Sequence, residues 1–194
     1  MANGKIISID GMGGDHAPRI VVEGLELFAQ RRADLQFLLH GDEAQLKALL
    51  ANAPTAAPRT TVRHTDKTIS MDAKPAEAVR RGKGSSMWNA IEAVKNGEAI
   101  AAVSAGNTGA LMGLATLVLR TLPGIDRPAI AAVLPTSKRP VVVLDLGANV
   151  DCSDDNLVQF AVMGEVFSRV ILDVAKPRVA LLNIGTEEDR KSVV

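Results

Sequence analysis

The amino-acid sequence predicts an α/β fold: a mostly parallel sheet, doubly wound, with helices on both faces. Three observations predict it. Short β-branched runs alternate with longer helical patterns along the chain, the rhythm of successive βαβ units. Nearly every strand-like run finishes in Gly accompanied by Asp, Asn, Ser or Thr. The apolar residues are chiefly Val, Ile, Leu, Ala and Met, with four Phe, one Trp and no Tyr, and aliphatic strands suit a parallel sheet buried on both sides.

The first strand is predicted over 5–10, entered directly from Met1-Ala2-Asn3-Gly4 with no signal-peptide core. A helix follows over 18–31, where Val21, Leu25, Phe28 and Ala29 recur at helical spacing and mark one buried stripe. Pro18 suits its first turn. Strand 35–40 and helix 43–51 come next, then a plain connector containing Pro and Ala over 51–59, and strand 60–64. Helix 86–96 leads to strand 100–104. The helix over 108–121 holds the longest apolar run, Ala110 to Leu119, interrupted by Gly113 and Thr116. That run is far below the ~20 residues needed to span a bilayer and reads as a buried helix. Strands over 130–134 and 141–146, a helix over 156–170 and a strand over 178–184 complete the series. After it Thr186-Glu187-Glu188-Asp189-Arg190-Lys191-Ser192-Val193-Val194 shows no closing helix. The expectation is one α/β domain, 1–194, the N-terminal portion of a longer protein with the C-terminal part of the fold missing.

Bulk properties narrow the function classes. The 194 residues are 47% hydrophobic and 23% charged, an ordinary globular composition. Formal net charge is zero, so no global field draws the chain to nucleic acid or lipid. Aromatic residues at 3% are too few for platforms that stack single-stranded nucleic acid. The single cysteine, Cys152, excludes an intrachain disulfide and agrees with a reducing, cytoplasmic setting. Beside two acids it lacks the cationic surroundings that create a reactive thiolate, and it is read as incidental.

Doubly wound sheets place ligands outside the carboxyl ends of their strands. The first such end is Asp10-Gly11-Met12-Gly13-Gly14-Asp15-His16. Its Gly13 and Gly14 suit an anion nest at a helix N-terminus; a tight turn with Asp15 near the helix cap is the plainer alternative. A dinucleotide fingerprint would want glycine where His16 stands. The second end is Ser104-Ala105-Gly106-Asn107-Thr108-Gly109. Gly106 lets backbone approach a ligand, Asn107 or Thr108 caps the next helix, and its free N–H groups favour an oxyanion. Gly109 and Gly113 share a helical face and also permit close packing. In the third, Asp145-Leu146-Gly147-Ala148-Asn149, Asp145 and Asn149 either orient a ligand or hold the loop by Asx-type bonds. The basic stretch Arg80-Arg81-Gly82-Lys83-Gly84-Ser85-Ser86 offers Lys83, Ser85 and Ser86 to a phosphate at a helix start. Arg80 and Arg81 alternatively present a surface to an acidic partner, or simply a solvated face. His40 and His64 end strands as ordinary polar residues, and no His/Cys/Asp cluster has metal-ligand spacing.

These blocks carry a resemblance. Asp10 to Asp15, Lys83 to Met87, Val103 to Met112, Gly124-Ile125-Asp126-Arg127-Pro128 and Leu144 to Asn149 are similar, in order, to the motifs of the PlsX family. Leu157 to Gly164 and Pro177 to Gly185 continue the match. Gly11 stands where the family pattern has Ala. The resemblance implies an acyl-acyl carrier protein:phosphate acyltransferase of bacterial phospholipid synthesis. It implies a Rossmann-like α/β/α fold related to the isocitrate and isopropylmalate dehydrogenases and to phosphotransacetylases, without nicotinamide or other cofactor. It further implies a homodimer, cytoplasmic or peripheral at the inner membrane face. Its partners would be acyl carrier protein and inorganic phosphate, and its acyl-phosphate product would feed a membrane glycerol-3-phosphate acyltransferase.

Such chemistry needs little acid–base machinery. Phosphate is already a nucleophile, and a thiol of pKa about 8.5 leaves readily as its anion. Positioning two anions and stabilising the carbonyl oxyanion are the main tasks. The expected binding set is Gly13, Gly14, Lys83, Ser85, Ser86, Ser104, Gly106, Thr108, Gly109 and Asp145. Asp15, His16, Asn107 and Asn149 are the expected catalytic set, orienting groups or handling a proton. The competing readings are a non-catalytic phosphate- or nucleotide-binding module and an oxidoreductase of the isopropylmalate dehydrogenase type.

Overall fold

In the first of the chain's two compact units, Met1–Arg120, four strands lie parallel: β1 (Lys5–Asp10), β2 (Leu35–Gly41), β3 (Thr60–His64) and β4 (Ala101–Val103). The computed structural model describes residues 5–147, 149 and 151–182. The strands stand in the order β3-β2-β1-β4. The chain therefore steps outward from β1 to β3 and then returns to the other side of β1. That reversal is the switch point at which open α/β sheets hold their ligands.

Side-chain alternation sorts the sheet into two faces. Ile7 and Ile9 of β1 with Leu35, Phe37 and Leu39 of β2 meet α1 (Arg19–Arg31) and α2 (Glu43–Leu50) through Val22, Leu25, Ala29, Leu46 and Leu50. Complete burial of an aliphatic side chain such as Leu46 contributes about 1.5–3 kcal/mol. On the other face Ile6 and Leu38 meet Ala93 and Val94 of α4 (Ser86–Lys95). Helix α5 (Thr108–Leu119) packs against α4 and α3 (Pro75–Arg81) against α5, through Ala78, Met87, Ile91, Ala110, Leu114 and Val118. Helices thus cover both faces, as the sequence predicts.

Local differences have local causes. The stripe on α1 is rotated by one residue: Val22, Leu25 and Ala29 are buried, while Phe28 is exposed and lies edge-on to Phe37. The connector over 51–59 is anchored rather than plain. The Glu26 carboxylate accepts the N–H groups of Thr55 and Ala56, and the Arg59 guanidinium donates to the carbonyls of Ala29 and Arg32. Those carbonyls end α1, where acceptors lack intrahelical donors. Helix α3 carries no sequence signal because its seven residues bury only Ala78, too little for an apolar period.

The second unit, Thr121–Val194, contains β5 (Ala132–Leu134), β6 (Val141–Val143) and α6 (Asp154–Ile171). Here the mostly parallel expectation meets an exception: β5 and β6 pair antiparallel, Leu134 opposite Val141. A parallel return needs a crossover of about a dozen residues or more, and the Leu134–Val141 link is too short for one. Ser153 caps α6 with a reciprocal pair of bonds to Asn156. The strand expected over 178–184 is absent across its described part, 178–182. Those residues pair with no ladder and instead line, with β6 and α6, a cavity of about 300 Å³; Asn183 and Ile184 lie outside the described residues. Among the described residues no helix is long and apolar enough to cross a membrane.

One buried polar pair sits inside the first unit. On the α4 face, His40 is 1% exposed and its Nε2 lies 2.9 Å from the Ser8 hydroxyl, while Nδ1 has no partner. Burial, aided by the nearby Arg63 cation, pushes the imidazole pKa down to about 4. Unfolded His titrates near about 6.5, so below that pH the unfolded chain takes up a proton that the native chain refuses. Stability contributed by a neutral His40 is therefore complete above about pH 6.5 and declines toward pH 4, by up to roughly 3 kcal/mol. Urea unfolding across that range measures the loss, and His40→Gln flattens its slope.

Candidate anion site at the carboxyl edge of the sheet

Strands β1 and β4 run side by side, Ile9 opposite Val103, so the turns that follow them must meet. They are tied by a buried carboxylate. Asp10, 2% exposed, accepts the Met12 N–H at 3.2 Å and the Ser104 hydroxyl at 2.7 Å. Ser104 Oγ in turn accepts the Gly106 N–H at 3.0 Å. Gly13 crosses directly over this bridge. A Cβ there would collide with Asp10 Oδ2 and stand 2.8 Å from Ser104 Oγ and 2.9 Å from Gly106 N. Gly14 has φ of +113°, backbone that side chains disfavour. Two glycine turns distant in sequence are therefore one structure.

Helix α4 brings its first turn to the same place. The Met87 methyl group lies 2.9 Å from where a Cβ of Gly106 would stand. Ser85 caps α4, its Oγ accepting the Trp88 N–H at 3.2 Å. Both Ser85 and Ser86 are buried, and the Ser86 N–H donates to the Lys67 carbonyl. Lys83 is exposed. The loop after β3 is clamped here too: Thr65 donates to the Gly84 carbonyl and Lys67 Nζ to the Lys83 carbonyl.

Asn107 caps α5, accepting the Ala110 N–H at 2.9 Å through Oδ1. Its Nδ2 donates to the Met71 and Ala73 carbonyls at 2.6 and 2.9 Å. The amide thus fixes the far end of the β3 loop to the start of α5. Thr108 is exposed at that start, while Gly109 admits Pro75, whose Cγ lies 2.7 Å from a Cβ built there. Gly113 admits Val79 of α3 in the same way. Asp15 and His16 are exposed beyond the Gly13–Gly14 turn.

In the second unit, taken by itself, Asp145 and Asn149 organise their own loop. Asp145 Oδ1 accepts the Ile130 N–H at 2.8 Å, and Oδ2 accepts the Asn149 N–H and Nδ2 at 2.6 and 3.0 Å. Asn149 Nδ2 also donates to the Pro128 carbonyl. These are Asx-type bonds of the kind that shape a loop. Cys152 is exposed.

Within the first unit, the structure brings together Gly13, Gly14, Ser104, Gly106 and the first turn of α4, and joins Asn107 to the β3 loop. The sequence reading missed Asp10 as a member and missed that loop. Asp10 ends β1 and Ser104 follows β4, so strand adjacency is the signal that pairs them. Only the strand order supplies it.

The fold and site define a class: doubly wound α/β proteins with glycine turns gathered at the switch point. Among solved structures, a phosphotransacetylase from Streptococcus pyogenes matches with a TM-score of 0.66 at 19% identity, over 90% of this chain and 56% of that one. EutD phosphotransacetylase from Staphylococcus aureus matches at 0.61 and 17% identity, over 86% and 53%. Residues 6–193 match the family described as "Fatty acid synthesis protein", and the chain belongs to that family, the PlsX family. The phosphate acyltransferase of Rhodospirillum rubrum is 55% identical over 190 residues, 98% of this chain and 54% of that protein. That of Paramagnetospirillum magneticum is 52% identical over 188 residues, 97% and 54%. The chain spans about half the length of the curated relatives it matches.

The steric test of the site is Gly13→Ala. The added methyl group must break the Asp10–Ser104–Gly106 bridge or displace the turn, an overpacking cost of about 1–3 kcal/mol. Urea unfolding at pH 7.5 measures that loss.

Proposed function

We propose that the protein carrying this chain transfers a fatty acyl group from acyl carrier protein to inorganic phosphate, giving acyl-phosphate for phospholipid synthesis. One observation carries the reading: the Gly13–Gly14 turn, the Gly106 turn and the start of α4 meet at one switch point. Membership of the family and relatives named phosphate acyltransferase support it.

In this reading a phosphate oxygen attacks the thioester carbonyl carbon, and the carbonyl π pair moves onto oxygen. The tetrahedral intermediate then collapses, breaking the C–S bond and releasing the carrier's thiolate. Main-chain amides of Gly13 and Gly14 and the free amides opening α5 hold phosphate or the oxyanion, with the Thr108 hydroxyl beside them. An oxyanion donor contributes on the order of 2.7–4 kcal/mol to lowering such a barrier. Lys83 supplies positive charge from solvent, while Asp15 and His16 orient the entering anion or carry a proton at the rim. Ser104 meets the anion between the turns it joins, Ser85, Ser86 and Asn107 work through the turns they hold, Gly109 through the approach of α3, and Asp145 and Asn149 through their loop.

The same reading makes the protein a homodimer, cytoplasmic or peripheral at the inner membrane face, that passes its product to a membrane glycerol-3-phosphate acyltransferase. It extends the fold kinship to the isocitrate and isopropylmalate dehydrogenases. The decisive assay incubates the protein with acyl-acyl carrier protein and phosphate and follows free carrier thiol. Thiol release that requires phosphate is the expected result; release without phosphate, or none, refutes the reading. Asn107→Ala frees the β3 loop from α5 and lowers the rate by about 100-fold, because small misplacements of positioning groups cost that much. A normal rate removes Asn107 from the machinery.

A further inference from the structure

The Asp10–Ser104 bridge has a directional consequence for the ligand. A carboxylate oxygen only accepts hydrogen bonds, so the Ser104 hydroxyl gives its single proton to Asp10 Oδ2, at 2.7 Å. Ser104 Oγ then has acceptor capacity alone. One lone pair takes the Gly106 N–H at 3.0 Å, and the other remains unspoken for among the described bonds. Asp10 is 2% exposed and meets no cation within ion-pair distance among the described residues. Ser104, by contrast, is only part-buried. Oγ lies 2.8 Å from the Cβ position of Gly13 and 3.1 Å from that of Gly106, wedged between the two glycine turns. Ser104 Oγ is thus a part-buried oxygen with no proton left to give, set between two glycine turns.

We infer that Asp10, acting through Ser104, makes this site specific for a protonated tetrahedral oxyanion, accepting hydrogen phosphate and rejecting sulfate. This rests on the reading of the site as a phosphate site and adds its specificity. Phosphate near neutral pH carries at least one proton, and its P–OH donates to Ser104 Oγ. Sulfate carries none at that pH, and its oxygen faces the Ser104 lone pair with no hydrogen between them. A charged group left against an unmatched acceptor in a partly buried site loses roughly 100-fold in affinity. Arsenate is protonated like phosphate and is accepted. Asp10 is a positioning residue here: it never touches the anion but sets which way the Ser104 proton points.

Calorimetric titrations of the protein at pH 7.5 and matched ionic strength, with sodium phosphate, arsenate and sulfate, read the selectivity. The wild type binds phosphate and arsenate and prefers both to sulfate by roughly 100-fold. In Asp10→Asn the amide Nδ2 donates to Ser104, whose proton turns toward the ligand, and the phosphate-to-sulfate ratio falls below about tenfold. Ser104→Ala removes the acceptor and lowers the ratio likewise; it decides the matter alone if Asp10→Asn does not fold. A purely structural role would weaken all three anions together and leave the ratio unchanged, which overturns the inference. So does a wild type that binds phosphate and sulfate equally, although the phosphate site itself then stands. A wild type that binds no phosphate overturns both.

Discussion

The hydrogen bond from Ser104 to Asp10 fastens the end of β1 to the turn after β4 across the switch point of the sheet. Without a Cβ, Gly13 lies over that bond, and Gly106 turns its N–H into it. The position of each glycine turn is therefore set by the other. A single glycine turn is flexible and specifies little. Two turns locked through a buried carboxylate present their backbone dipoles without reorganisation, which is what electrostatic stabilisation of a developing charge requires.

The rest of the first unit serves that edge. Along the α4 face of β1 the side chains run Ile6, Ser8, Asp10, changing from apolar to charged toward the carboxyl end. On β2 the same progression is Leu38 then His40. The opposite face, toward α1 and α2, is apolar where it is buried: Ile9, Leu35, Phe37 and Leu39. A polar seam thus underlies the site on one side only, and each member needs a partner because unpaired buried polar groups are costly. Ser8 partners His40, and Ser104 partners Asp10. The loop after β3, pinned by Lys67, Thr65 and Asn107, connects the starts of α4 and α5. Asn107 belongs to that connection: its amide is bonded to main chain on both sides, Oδ1 to the Ala110 N–H and Nδ2 to the Met71 and Ala73 carbonyls.

The motifs were legible because glycine and small polar residues at strand ends have few structural uses, and many such blocks occur in order. Their distribution was not. Asn107 and Asn149 read alike in sequence, as small amides after glycine turns. One caps a helix and secures a loop in the first unit, while the other completes an Asx network around Asp145 in the second. The strands near 132 and 142 matched the β-branched pattern of the others, yet pair antiparallel because their link is too short for a crossover.

By itself, the sequence determined the alternation of strands and helices, the largely aliphatic core of the sheet, the glycine turns at strand ends and the family. Those depend on residue type and spacing, which local backbone preference and hydrophobic period read directly. Only the tertiary structure decided the strand order, the pairing of Asp10 with Ser104 and the direction of the proton between them. Those contacts join residues far apart in the chain, and no local rule says which strand lies beside which until the sheet has been assembled.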